Sequence, residues 1–61
     1  MNNISVLNLS IRSHNALLRA GVTTVEHLEM MDANKLKKIR NLSQKSVEEV
    51  MNKLKKWKEK S

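Results

Sequence analysis

The sequence predicts an all-α fold: a compact bundle of four or five short helices joined by very short turns. Three observations predict it. Apolar residues recur at spacings of three and four, while period-two alternation never lasts long enough for a sheet. Aromatic residues make up 2% of the sequence, with a single Trp57 and no Phe or Tyr, which disfavours a β-sandwich or barrel. The protein has 61 residues and no cysteine, so disulfides and thiolate metal sites are excluded. A domain this small buries only about 60% of its unfolded surface. Aliphatic helix packing, aided or not by a partner, must therefore supply the stability.

Each helix can be read from its punctuation. Ser10 is an N-cap for a first helix over about residues 11–20, with Ile11, Leu17 and Leu18 inward and Leu7 and Leu9 packing just before it. Gly21, the only glycine, fits the position after that helix, where a left-handed backbone carries no Cβ penalty. A second helix starts at Thr23 or Thr24; Thr23 and Glu26 have capping-box spacing, and Val25, Leu28 and Met31 form its apolar stripe. Asp32 caps a third helix through about Ile39, with Leu36 and Ile39 inward. Asn41-Leu42-Ser43 interrupts the pattern as a turn. Ser43 then caps a fourth helix to about Glu59, whose stripe is Val47, Val50, Met51, Leu54 and Trp57. Met31 and Met51 read as core gap-fillers, Met30 as partly exposed, and Trp57 as the large residue that closes the bundle.

Charge divides the sequence. The net charge is +6, from 12 Lys or Arg against 6 Asp or Glu. Residues 1–34 carry a net −1, and residues 35–61 carry ten cations against Glu48, Glu49 and Glu59, a net +7. The basic balance suggests an acidic partner, with nucleic acid the first candidate. Lys53 to Lys60 read as a solvated helix face whose cations complement the helix dipole. The cluster Lys35, Lys37, Lys38, Arg40 and Lys45 instead brackets a tight turn. No apolar run is long enough to span a bilayer, and the N-terminus lacks the features of a signal peptide. The sequence reads as a soluble, intracellular single domain over residues 1–61, with a basic helical tail over about 53–61.

Catalysis is disfavoured. His14 and His27 are the only near-neutral bases, and no nucleophile, base and acid fall at a recognised spacing. Glu48 and Glu49 are consecutive on a helix and point about 100° apart, so they do not form a facing carboxylate pair. Two histidines thirteen residues apart, without cysteine, make no zinc set and read as surface residues. No cofactor is expected. The informative feature is a pair of helix N-termini. Arg12 lies in the first turn of the first helix with Asn15 one turn on, and Ser43, Gln44, Lys45 and Ser46 open the fourth. A helix N-terminus offers unpaired N–H groups and partial positive charge to a phosphate. Lys45 and the Ser46 hydroxyl add donors, and Arg and Asn suit a narrow minor groove. Taken alone, these features are better explained by ordinary capping and surface charge, which every helix N-terminus shares.

Two motifs change that balance. Leu7-Asn8-Leu9-Ser10-Ile11-Arg12-Ser13-His14-Asn15-Ala16-Leu17, continued by Ala20 to Leu28, resembles the L-x-L-S-x-R-x-x-N-x-L motif of the C-terminal domain of the bacterial RNA polymerase alpha subunit. Ile39 to Val50 resembles that family's N-L-G-x-K-S-hydrophobic-x-E-hydrophobic motif. Each is moderately specific, because helix-hairpin-helix domains share parts of both; together, in order, they are a strong signal. The match runs from about Ile4 to Leu54.

The resemblance implies a helix-hairpin-helix-like unit and binding to A/T-rich double-stranded DNA across the minor groove. It also implies docking on transcription activators, sigma factor or RNA polymerase, in the bacterial cytoplasm and nucleoid. The family's DNA-contacting positions map onto Arg12, Asn15, Ser43, Lys45, Ser46 and Glu49. Arg12 would enter the groove, Asn15 reach base edges or sugars, and Lys45 and Ser46 hold phosphates. Glu49 would orient Arg12 or Asn15. The sequence departs from the pattern in two places. Ser43 stands where the family carries glycine, which permits close backbone approach and positive φ. Gln44 stands where a basic residue is common. The sequence also begins at Met1, near where the family's linker ends, and that start with Ser43 favours a free-standing relative. The other expectation is a module that mimics the polymerase domain and binds an activator or sigma factor without DNA.

Overall fold

The computed structural model describes residues 2–60; Met1 and Ser61, the two ends of the expected domain, lie outside the described residues. A short 3-10 helix (Ile4–Leu7) is followed by four α-helices, α1 (Ile11–Arg19), α2 (Val25–Glu29), α3 (Ala33–Lys37) and α4 (Gln44–Lys60). The fold is all-α, as the periodicity predicts. The described residues contain no strand, only an isolated antiparallel bridge between Asn3 and Thr24. That bridge and the 3-10 helix beside it have no periodic signal in the sequence. Asn3 caps the helix, its side-chain oxygen accepting from Ser5 N–H at 2.9 Å, and Asn8 ends it in the left-handed region at φ 53°. Asn tolerates that backbone better than most residues. The bridge is closed by Ile4 N–H to Thr23 C=O at 3.1 Å and Val25 N–H to Asn2 C=O at 2.8 Å.

The predicted caps set the helix starts. Ser10 Oγ accepts from Ser13 N–H at 3.3 Å, Asp32 Oδ1 from Lys35 N–H at 2.9 Å, and Ser43 Oγ from Ser46 N–H at 3.2 Å. After α1 the backbone turns in a Schellman motif. Gly21 N–H donates to Leu18 C=O at 3.0 Å, and Val22 N–H to Leu17 C=O at 2.9 Å, with Gly21 at φ +83°. The start of α2 differs from the expected Thr23–Glu26 capping box. Thr24 is the cap, accepting from His27 N–H at 3.1 Å, while Glu26 accepts the Asn2 N–H at 3.0 Å. Thr23 is instead drawn into the pairing with the N-terminal segment, its carbonyl accepting from Ile4 N–H at 3.1 Å. Helix α3 stops at Lys37, two residues short of expectation, because the backbone tightens into three-residue turns; Ile39 N–H donates to Leu36 C=O at 3.1 Å.

Helix α4 contacts the 3-10 helix, α1 and α3, so the core forms around it. That core is aliphatic throughout, with Ile4, Leu17, Val25, Leu28, Leu36 and Val50 fully enclosed. Leu9, Met31, Ile39 and Trp57 pack against it, half-buried. Two expected core residues of α1 point outward: Ile11 is 80% exposed and Leu18 40%. The reason is helical phase. The inward face of α1 is Ser13, Ala16 and Leu17, and Ile11 lies about 200° from Ser13. Met51, at 38% exposure, flanks the α4 stripe of Val47, Val50, Leu54 and Trp57 instead of joining it. Met30, past the end of α2, is 78% exposed.

Two substitutions test this packing by urea unfolding. Leu17→Ala is expected to lower stability by about 2–5 kcal/mol, since it opens a cavity in a fully enclosed site. An added Cβ at Gly21 meets no neighbour within 4 Å, so Gly21→Ala reports only on the positive φ and is expected to lower stability by about 1 kcal/mol.

Candidate nucleic-acid interface

The two helix N-termini singled out in the sequence are brought together by one carboxylate. Glu49 lies in the second turn of α4, where it faces the start of α1. Its Oε2 accepts from the Ser10 N–H at 2.8 Å, and its Oε1 accepts from Ser10 Oγ at 3.0 Å and from Ser13 Oγ at 2.6 Å. A helix start has N–H groups with no partner inside the helix and carries partial positive charge, so a carboxylate there is doubly favoured. Ser13 is fully buried, and its hydroxyl is satisfied by this contact. The Ser13 hydroxyl, with further help from the Ser10 N–H and hydroxyl, holds the Glu49 carboxyl below its ordinary value of 4.5, against the opposing effect of its partial burial.

The role expected for Glu49, orienting Arg12 or Asn15, has no direct hydrogen bond behind it in this arrangement. The carboxylate's hydrogen bonds go to Ser10 and Ser13, not to Arg12 or Asn15. It fixes the start of α1, and so the place of Arg12 on it, without engaging the guanidinium. Nothing in the spacing of residues reveals the Ser10–Ser13–Glu49 contact, which joins positions up to 39 apart. Only the family resemblance points to Glu49 at all.

Arg12, Ser43, Lys45 and Ser46 open on one shallow depression of about 430 Å³, with Ser10 and Glu49 in its wall. Asn15 does not line it. It lines a neighbouring depression of about 580 Å³, together with Ile11, Ala16, Arg19 and Asn41, and Arg12 belongs to both. Arg12, Asn15, Ser43 and Lys45 are exposed, whereas Ser46 is buried. Ser46 has its N–H bonded to Ser43 Oγ and its own hydroxyl 3.3 Å from the same atom, so it serves the cap first. Ser43, at the family's glycine position, needs no left-handed backbone; the positive φ of this turn, 72°, falls on Asn41.

Among the described residues, no group of three or more His, Cys, Asp or Glu is placed to hold a metal ion. No helix among them is long and apolar enough to cross a membrane.

The Glu49 contact predicts both a mutational and a pH effect. Glu49→Ala leaves the buried Ser13 hydroxyl without its acceptor and is expected to cost about 1–3 kcal/mol by urea unfolding. Because the folded-state pKa is lowered, the carboxylate's stabilising effect is full above the ordinary value of 4.5 and is lost as pH falls below it. Glu49→Gln is expected to flatten that acid limb. It will not abolish it, since Glu26, lowered foremost by the Asn2 N–H, acts in the same direction.

The comparisons with known proteins agree with the two motifs. The family described as the C-terminal domain of the bacterial RNA polymerase alpha chain matches residues 1–56. The protein is 52% identical over 54 residues to the DNA-directed RNA polymerase subunit alpha of Mycoplasma mobile, an alignment covering 88% of this sequence and 16% of that protein. It is 51% identical over 51 residues to the same subunit of Desulforamulus reducens, covering 84% and 16%. For Clostridium acetobutylicum the identity is 50% over 52 residues, covering 85% and 16%. The match thus spans 16% of the length of these relatives. No solved structure gives a significant match. With both motifs present and nearly the whole length matched, the protein belongs to the family of C-terminal domains of bacterial RNA polymerase alpha subunits.

Proposed function

We propose that the protein is a non-catalytic DNA-binding module of the bacterial transcription apparatus, acting at the nucleoid. It contacts the minor groove of A/T-rich duplex DNA through the starts of α1 and α4, with α3, the Asn41 turn and α4 serving as its helix-hairpin-helix-like unit. The observation that carries this reading is the shared depression of Arg12, Ser43, Lys45 and Ser46, whose one carboxylate, Glu49, is already bonded to Ser10 and Ser13. A guanidinium free of that carboxylate is available to the negative potential of a narrow groove. Lys45 and the first-turn N–H groups of α4 suit a phosphate beside it. Asn15, one turn from Arg12, extends the polar face along the groove.

A second reading, a protein-interaction module that binds an activator or sigma factor without DNA, is favoured by the exposure of Met30, which is 78% accessible at the end of α2. Retention of sigma factor on the immobilised protein after nuclease treatment supports that reading, and its complete loss counts against it.

Anisotropy titration with A/T-rich and G/C-rich duplexes at two salt concentrations tests the first reading. Arg12→Ala is expected to cost about 1–3 kcal/mol of binding and to erase the A/T preference. Lys45→Ala is expected to weaken both duplexes alike and to reduce the salt slope by about one. Equal affinity for both duplexes, unchanged by Arg12→Ala, would sink minor-groove recognition.

A further inference from the structure

The depression that holds Arg12 and Asn15 does not end there. Its wall includes Arg19 and Asn41, and both also line a hollow of about 720 Å³ with Lys38 and Arg40. On its other side it shares Arg12 with the depression at Ser43 and Lys45. Through Arg12 on one side and Ala16, Arg19 and Asn41 on the other, the three hollows adjoin in a row, a trough in three parts. It runs from the start of α4, along α1, to the turn that follows α3.

The composition of this trough is one-sided. Arg12, Arg19, Lys38, Arg40 and Lys45 line it, against the single carboxylate of Glu49. Glu26, Glu29, Asp32, Glu48 and Glu59 line none of the three hollows. Glu49, moreover, is engaged by Ser10 and Ser13. The trough therefore presents nearly unopposed positive charge in a concave form, whereas the hollow at the Lys-rich end of α4 sets Lys55 and Lys58 beside Glu59 and the apolar Met51 and Leu54. Lys53, Lys55 and Lys56 are outside the trough.

Helical phase sets the trough's length. Arg12, Asn15 and Arg19 are at i, i+3 and i+7 and so share one face of α1. Arg12 and Arg19 are two turns apart, about 10 Å along the axis. At about 3.4 Å per base pair, that is roughly three steps of a duplex. Arg40 lines the same hollow as Arg19 and directly precedes Asn41, whose left-handed backbone bends at the trough wall.

We infer that Arg19 and Arg40 bind backbone phosphates of duplex DNA beyond the contacts at Arg12 and Lys45, so that the interface runs the whole length of α1. This inference rests on the DNA-binding reading above and adds a second phosphate site to it. Phosphate contacts position a protein without reading sequence, so Arg19 and Arg40 contribute affinity and salt dependence but no base preference.

The test is the slope of log K against log salt concentration for an A/T-rich duplex, measured by anisotropy between about 50 and 200 mM salt. Arg19→Gln/Arg40→Gln is expected to reduce the slope by about two and to lower affinity about tenfold at the low-salt end, with the ratio of A/T-rich to G/C-rich binding unchanged. Arg19→Lys/Arg40→Lys is expected to retain the slope. Lys55→Gln/Lys56→Gln removes the same charge from outside the trough and is expected to leave the slope as it was. If the double glutamine variant does not fold by circular dichroism, the single variants Arg19→Gln and Arg40→Gln are each expected to reduce the slope by about one.

An unchanged slope in the glutamine variants, with Arg12→Ala still weakening binding, overturns the extended interface and leaves the minor-groove reading intact. Equal slope losses inside and outside the trough overturn it by reducing the effect to net charge. Failure of the unsubstituted protein to bind DNA overturns both readings.

Discussion

Where α4 passes the start of α1, the Glu49 carboxylate accepts three hydrogen bonds from Ser10 and Ser13. It meets the positive end of the α1 dipole there and gives a buried hydroxyl its partner. The placement of the two helix N-termini depends on this joint. Without it, α1 would be held to α4 mainly by the aliphatic packing of Ala16 and Leu17, which resists sliding less specifically than directed bonds do. The joint also removes the one carboxylate of the surrounding depression from competition for Arg12. A single acidic residue thus aligns the site and keeps it positive.

Around this joint the structure is economical. Helices α2 and α3 are five residues each, too short to persist alone. They hold because each starts at a side-chain cap and buries at least one fully enclosed residue, Val25 and Leu28 in α2 and Leu36 in α3. Among the described residues, no buried side-chain nitrogen or oxygen lacks a partner. In a domain with little apolar area, one orphaned polar group would cancel much of the net stability.

The features legible in the sequence are those encoded locally. Ser10, Asp32 and Ser43 cap where their spacing implies, and Gly21 takes the backbone that only glycine adopts freely. The departures share a cause. Ile11 and Leu18 read as inward because they are apolar, but the phase of α1 is set by its neighbours and favours Ser13 and Ala16. The Thr23–Glu26 box does not form because a distant segment, Asn2 to Ile4, captures both residues. Of the site, Arg12 and Lys45 stand out as cations near helix starts. The bonding of Glu49 and the wall made by Arg19 and Arg40 arise from contacts between helices that no local spacing encodes.

Trp57 packs half-buried on the core near the end of α4, twelve residues beyond Lys45. At 1.5 Å per residue the indole is about 18 Å from that lysine along the axis. It is also the only aromatic residue, so one optical probe of the native state sits at the opposite end of the helix from the basic trough. Its fluorescence therefore follows docking of the helix end on the core and is nearly blind to occupancy of Arg12 or Lys45. Folding of this small protein and the proposed binding of a DNA duplex can be followed separately in one sample, the first through its intrinsic emission and the second through a label on the DNA.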